Sequence, residues 1–310
     1  MGRYIIRRLI MAVFTVFAIS VITFVVAKVT PGGPFGLDDP TVTAHFSVSM
    51  RAHYKAMYGL DQPIALQYVR WLWAAVHGDL GMSYQYQDLS VQSIIARTAP
   101  VSGELGLIAT VIALSLGTLV GVVAALKKDT WFDFATTGFT VFAFTFPSFI
   151  LGLFLLIFFC VDLKWFQLTG WGSVNRMVLP VFCLCLGPLA STIRFTRASV
   201  LDVANQDFVR TAYSKGLRPS MVMSRHVIKN ALMPVVTIAG PMIAGLISGS
   251  FFVESVFNVP GLAQAFVNAS NARDYPMIMG NAVLFGTVII LMNLAVDIAY
   301  AWIDPRIRYD

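Results

Sequence analysis

Six stretches free of Asp, Glu, Lys and Arg constrain this 310-residue chain more than anything else in it. They run from Leu9 to Ala27 (19 residues), Leu105 to Leu126 (22), Phe134 to Val161 (28), Met177 to Ile193 (17), Ala231 to Val253 (23) and Tyr275 to Val296 (22). A bilayer-spanning helix needs about 17 to 25 apolar residues, so the fourth is at the lower limit and the third is long enough to tilt. Buried helices of a water-soluble protein do not account for them, because no single core hides six such windows. Composition agrees: the chain is 57% hydrophobic and 12% charged, with mean hydropathy +0.73, whereas soluble domains carry about 25% charged residues. The expected fold class is all-α and integral to the membrane, with six transmembrane helices.

Basic residues orient the windows. With Arg3, Arg7 and Arg8 holding the amino terminus in the cytoplasm, the segments expected inside (1–8, 127–133, 194–230 and 303–310) contain 14 Lys and Arg. Those expected outside (28–104, 162–176 and 254–274) contain 8, although they are nearly twice as long in total. That asymmetry is the positive-inside pattern. The net charge of +6 is therefore read as topology, and no nucleic-acid partner is expected. The first window is too long for the apolar region of a cleaved signal, no A-x-A site follows it, and Ile6 stands where a myristoylation motif needs Ser or Thr.

Chemistry-bearing motifs are scarce. The sequence has no G-x-x-x-x-G-K-[ST], no H-E-x-x-H and no G-x-S-x-G. His45, His53, His77 and His226 do not make a metal spacing; His45 and His53 alone share a helical phase, and a zinc site needs three or four ligands. Cys160, Cys183 and Cys185 fall in or at the edges of windows and read as packing residues. In the long outer segment, TPGGPFGLDDP (30–40) is turn-rich, while 49–83 spaces Leu66, Val69, Trp73 and Val76 at helical intervals. Short helices against the outer bilayer face are expected there, with Trp71 and Trp73 at the interface.

Charges near the windows need partners. Asp297 is expected in an ion pair near the inner end of the last span, and Arg194 is expected as a boundary anchor. In the fifth window Gly245 and Gly249, and likewise Ala244 and Ser248, lie four apart around Pro241, a spacing of small residues that lets helices approach closely.

One basic, polar stretch stands out, RTAYSKGLRPSMVMSRHVIKNALMP at 210–234. Asp207 is expected to cap a helix through Phe208, Ala212 and Lys215, Gly216 to take the left-handed position after it, and Pro219 to open a second short helix. Too small to bury its own core and set where lipid ends, such a unit fits docking into a cytoplasmic partner.

These residues carry a resemblance. RTAYSKGLRPSMVMSRHVIKNALMPVVT resembles the EAA-type loop of ATP-binding-cassette importer permeases in their oligopeptide and dipeptide branch. The likeness runs nearly end to end, through GRYIIRRL, PGGPFG, GDLGMSY, PVSGELG, FPSFILG, VESVFNVPGLAQAFVNASNARDYPMI and the DPRIRY tail, and is greatest to the first of the two permease subunits. Where a generic loop begins Glu-Ala-Ala, this chain has Arg210-Thr211-Ala212, as is usual in the peptide branch, and Tyr213-Ser214 follow in place of the commoner basic-and-small pair.

The resemblance implies a type I importer permease fold with both termini cytoplasmic, in a bacterial inner membrane. It implies an amino-terminal tip and first helix (1–30), an extracytoplasmic segment (31–100), a permease core (101–303) containing the coupling loop 199–233, and a tail (304–310). The coupling helix would fit a groove in an ATPase subunit, through Asp207, Arg210, Thr211, Ala212 and Lys215, then Gly216, Leu217 and Pro219, then Arg225 and His226. Pro241, Gly245, Ser248, Gly249, Glu254 and Gly261 are expected along the translocation path or its gate, and 259–270 as an outer helix burying Leu262, Ala265, Phe266 and Ala269. The implied partners are a second permease in a heterodimer, two ATP-binding subunits, an extracytoplasmic solute-binding protein, membrane lipid and the peptide carried. This chain would be no enzyme and hold no cofactor or metal, with ATP and Mg on the ATPase subunits, and alternating access driven from them. A permease of the same branch for nickel or another small solute is the nearest alternative. A gated channel needs no ATPase-docking loop, and a membrane enzyme needs a nucleophile-base or metal cluster that the sequence lacks.

Overall fold

Proline and glycine decide where the apolar windows break into helices. The computed structural model describes residues 2–30, 59–86 and 88–303, with side chains over 6–295 of these. His45, His53, most of the turn-rich 30–40 segment, the 304–310 tail and the side chain of Asp297 lie outside the described residues. Among the described residues all regular secondary structure is helical, apart from one isolated bridge between Met82 and Ser90, and turns and irregular stretches join the helices. Among the same residues five helices are long and apolar enough to cross a membrane, or six when one bent pair counts as a span.

The first helix, α1 (Gly2–Val29), is followed by a short helix, α2 (Ile64–Val76), and then by α3 (Val91–Leu126). The third window is not one tilted rod. It divides into α4 (Trp131–Thr145) and α5 (Ser148–Leu155), the latter continuing as a π-helical segment (Leu156–Asp162), and the two halves are bent by 99°. Pro147 is the cause: it disfavours helical backbone in the residue before it, and Phe146 is extended at φ −88°, ψ 120°. The fourth window proves to be the middle of a longer helix, α6 (Val174–Ala204), with Pro180 and Pro188 inside it.

After α6 come α7 (Asp207–Ser214) and α8, which opens at Pro219–Met221, passes through a π-helical segment (Val222–Ile228) and closes at Lys229–Ala231. The fifth window breaks as well. Helix α9 (Met233–Ile247) stops where Gly249 takes φ +87°, and α10 (Phe251–Val256) starts after an extended Ser250. Helices α11 (Leu262–Asn271) and α12 (Tyr275–Ile303) complete the described chain.

Two compact units result, one mainly 1–100 with 261–290, the other mainly 101–260. In the larger unit α6 is the hub, packed against α4, α5 and α9. Its core gathers Leu105 and Ala109 of α3, Cys183 and Cys185 of α6, Leu246 of α9 and Val253 of α10. The three cysteines are free and buried, as packing residues should be.

Close helix approach is real but sits elsewhere than expected. A Cβ on Gly245 would meet nothing within 4 Å, whereas one on Gly106 would lie 2.2 Å from the Leu246 carbonyl oxygen. Gly117 and Gly121, four apart on α3, likewise press against Thr192 and Thr196 of α6. In the smaller unit Val91, Ile94, Ala269 and Met277 form the core, and α11 buries Leu262, Ala263 and Ala269, with Ala265 and Phe266 half-buried.

Candidate functional site

The basic stretch after α6 is a built unit. Helix α7 ends in a Schellman turn: Gly216 has φ +75°, its N–H donates to the Tyr213 carbonyl at 3.0 Å, and the Leu217 N–H donates to the Ala212 carbonyl at 3.4 Å. A Cβ on Gly216 would find open space, so the glycine is required for its backbone conformation alone. Pro219 then occupies the first turn of α8, where its missing N–H leaves no helix bond unmade.

Beneath the turn lies a small core of Ala125 of α3, Val200 and Val203 of α6, Val209 and Ala212 of α7, and Val222, Val227 and Ala231 of α8, with Leu217 packed on it. Val209 and Ala212, three apart, set the inward face of α7. Ala212 is therefore buried against its own chain and supports the unit instead of offering its methyl group to a partner. Asp207 also differs from expectation. Gln206 is the N-cap, and Asp207 is the first residue of the helix, nearly wholly exposed beside Arg210 at 3.8 Å.

The outward face carries Arg210, Thr211, Lys215, Arg218, Arg225 and Lys229, all exposed, with His226 half-buried. Phe208, Tyr213 and Met221 are exposed among them. Phe208, Arg218 and Met221 were not among the expected docking residues; Phe208 lies next to the buried Val209 on α7, and Arg218 and Met221 lie past the Gly216 turn, beyond the reach of the α7 phase. A cationic surface that also exposes three large apolar or aromatic side chains fits a partner offering both acidic and apolar groups.

The residues expected along a path are carried by several elements. Pro241 and Gly245 are exposed one turn apart on α9, and Gly249 breaks that helix just beyond. Glu254 is fully buried and accepts a hydrogen bond from Ser102 at 2.7 Å, and Gly261 is the buried N-cap of α11. Arg194 lies 5.0 Å from the Phe144 ring centroid and 5.9 Å from that of Phe195.

Residues 117–309 match the binding-protein-dependent transport system inner membrane components, and residues 1–102 match the amino-terminal region of such proteins. The chain belongs to this family. It is 40% identical over 308 residues to the dipeptide transport system permease protein DppB of Bacillus subtilis (strain 168), covering 99% of this chain and 98% of that one. It is 38% identical over 311 residues to the oligopeptide transport system permease protein OppB of Salmonella typhimurium, covering both chains in full. Its fold is similar to that of the MetNI methionine ABC transporter in an inward-facing form, with TM-score 0.56, 15% identity, and coverage of 69% of this chain and 97% of that one. An amino acid ABC transporter with histidines gives TM-score 0.52 at 15% identity, over 70% and 95% of the two chains. The chain is thus a multi-pass, all-helical membrane protein with the permease fold of ABC importers.

Proposed function

We propose that this chain is the non-catalytic permease subunit of an ATP-driven importer of peptides in a bacterial inner membrane. It would form half of the translocation pathway beside a second, similar permease, receive cargo from an extracytoplasmic binding protein, and be driven by two ATP-binding subunits. The observation that carries the reading is the outward, cationic helix-turn-helix of α7 and α8, seated on its own core and owing nothing to a partner for its shape. Its sequence partners in the family, named for dipeptides and oligopeptides, support peptides as the cargo.

In this reading both termini and the α7–α8 unit are cytoplasmic, and 31–100 is extracytoplasmic, within the division 1–30, 31–100, 101–303 and 304–310. Closure of the ATPase pair on ATP moves the docked turns together. Because Val209, Ala212, Val222 and Val227 tie the turn to α3 and α6, the movement reaches the spans as a rigid displacement. Pro241, Gly245, Ser248 and Gly249 supply the yielding point, since a helix broken by a left-handed glycine bends there more readily than elsewhere. Glu254 and Gly261 act as buried supports near the gate.

Uptake of labelled di-, tri- and pentapeptides, with nickel as control, by cells lacking this chain and by the same cells complemented with it tests the proposal. Peptide uptake that returns with the chain supports it; restoration of nickel uptake alone overturns it.

A further inference from the structure

We propose that a cavity at the far end of the first span, framed by α1, α2 and the start of α12, binds the phosphate head group of an anionic phospholipid. The cavity has a volume of about 530 Å³, within the range of about 300 to 1,000 Å³ of small-molecule sites. Its depth follows from the spans: Lys28 is one residue from the end of α1, and Tyr275 is the first residue of α12. Both stand where hydrocarbon gives way to head groups.

Helix α2 has two faces. Leu66, Val69, Trp73 and Val76 are exposed along one side, which is how an interfacial helix meets acyl chains. Gln67, Arg70, Trp71 and Ala74, spaced i, i+3, i+4 and i+7, line the cavity on the other. The frame is held in place by named contacts. Tyr68 shares a hydrogen bond with Ser20 at 2.9 Å and packs on Phe24, and Gln67 accepts from Lys28 Nζ at 2.6 Å while donating to the Gln62 carbonyl at 2.7 Å.

Among the described residues the lining brings together two cations, Lys28 and Arg70, and no carboxylate. Arg70 is exposed and has no ion-pair or hydrogen-bond partner among the described residues. The Trp71 indole N–H is buried without an acceptor, a state that native proteins rarely leave uncompensated. A phosphate oxygen supplies what both lack, since guanidinium groups pair with phosphate through charge-assisted bonds. Ile22, Val25, Val26 and Val29 are exposed along the side of α1 turned away from Phe24, Ala27 and Lys28, so α1, like α2, has an apolar outer face suited to acyl chains and an inner face that lines the cavity. A soluble phosphate would satisfy Arg70 and Trp71 but would not account for the apolar outer faces of α1 and α2, which set the cavity at lipid depth.

The test is native mass spectrometry of the full-length chain, delipidated in detergent and titrated with dioleoyl phosphatidylglycerol, dioleoyl phosphatidylcholine or inorganic phosphate. The expected result is a saturable one-to-one adduct with phosphatidylglycerol that Arg70→Gln weakens about fivefold, the effect of one basic residue at a membrane surface. Trp71→Phe, which removes the N–H donor and keeps an aromatic ring against Tyr68, weakens it independently of any folding effect of Arg70→Gln. Equal retention of phosphatidylglycerol by wild type and both variants, equal retention of phosphatidylcholine, or no one-to-one adduct at all overturns the proposal. Displacement of phosphatidylglycerol by millimolar inorganic phosphate assigns the site to a soluble anion and overturns the lipid reading.

Discussion

Arg197 holds Asp133 with two parallel hydrogen bonds, Nε donating to Oδ1 at 2.5 Å and Nη2 to Oδ2 at 2.7 Å. The carboxylate also accepts from the Asp129 N–H at 3.0 Å, so one buried side chain fixes the start of α4, the loop before it and the final third of α6. This pair explains why α6 continues through charged residues and delivers the chain to the α7–α8 turn as a rigid rod.

Removing one partner of such a pair strands the other. Asp133→Ala should therefore destabilise the protein by about 2 to 4 kcal/mol, while the double change Asp133→Leu with Arg197→Met recovers most of that loss. Melting temperatures in detergent measure both. A single variant as stable as wild type would mean that the pair is solvated and energetically idle.

Gly106 gives a second prediction. Its Cβ position meets the Leu246 backbone, which has no rotamer to yield, so Gly106→Ala should cost about 1 to 3 kcal/mol through overpacking. Gly138 is a helical control with nothing within 4 Å, and Gly138→Ala should be neutral or stabilise by about 0.4 to 1 kcal/mol. Equal melting temperatures for the two variants would contradict the close α3–α9 packing.

How much of this was legible in the sequence differs by element. Uncharged length was enough to find the spans, and the order of Lys215, Gly216 and Pro219 was enough to find the turn between α7 and α8, because both signals are local. The bend at Phe146 and Pro147 was hidden by an apolar run that hydropathy treats as one object, though the proline itself marked it. The extent of α6 was missed because charge was taken to end the span, whereas Arg197 is neutralised by Asp133, 64 residues away in sequence. Gly106 against Leu246 is likewise a long-range contact, and the more conspicuous Gly245 and Gly249 pair drew attention from it. In the candidate site the exposed residues followed from composition, but the inward turn of Ala212 depended on the core beneath.

Topology is tested by thiol labelling in a background lacking Cys160, Cys183 and Cys185. Asn271 and Ser220 are both exposed in the structure, so access is set by the membrane and not by burial. An impermeant maleimide should modify Asn271→Cys in intact cells and Ser220→Cys only after permeabilisation. Labelling of Ser220→Cys in intact cells would reverse the assigned orientation.

The central claim is that the Gly216 turn presents the ATPase-docking surface. Gly216→Val forces a β-branched residue into φ +75°, at a strain of about 1 to 3 kcal/mol, without filling any occupied space. Gly216→Asn adds a side chain that tolerates the left-handed region. The decisive measurement is recovery of the ATP-binding subunits with the membrane-extracted chain, paired with peptide uptake. The account predicts normal membrane abundance for both variants, loss of ATPase recovery and of uptake in Gly216→Val, and near wild-type values in Gly216→Asn. Full ATPase recovery and uptake in Gly216→Val would contradict it.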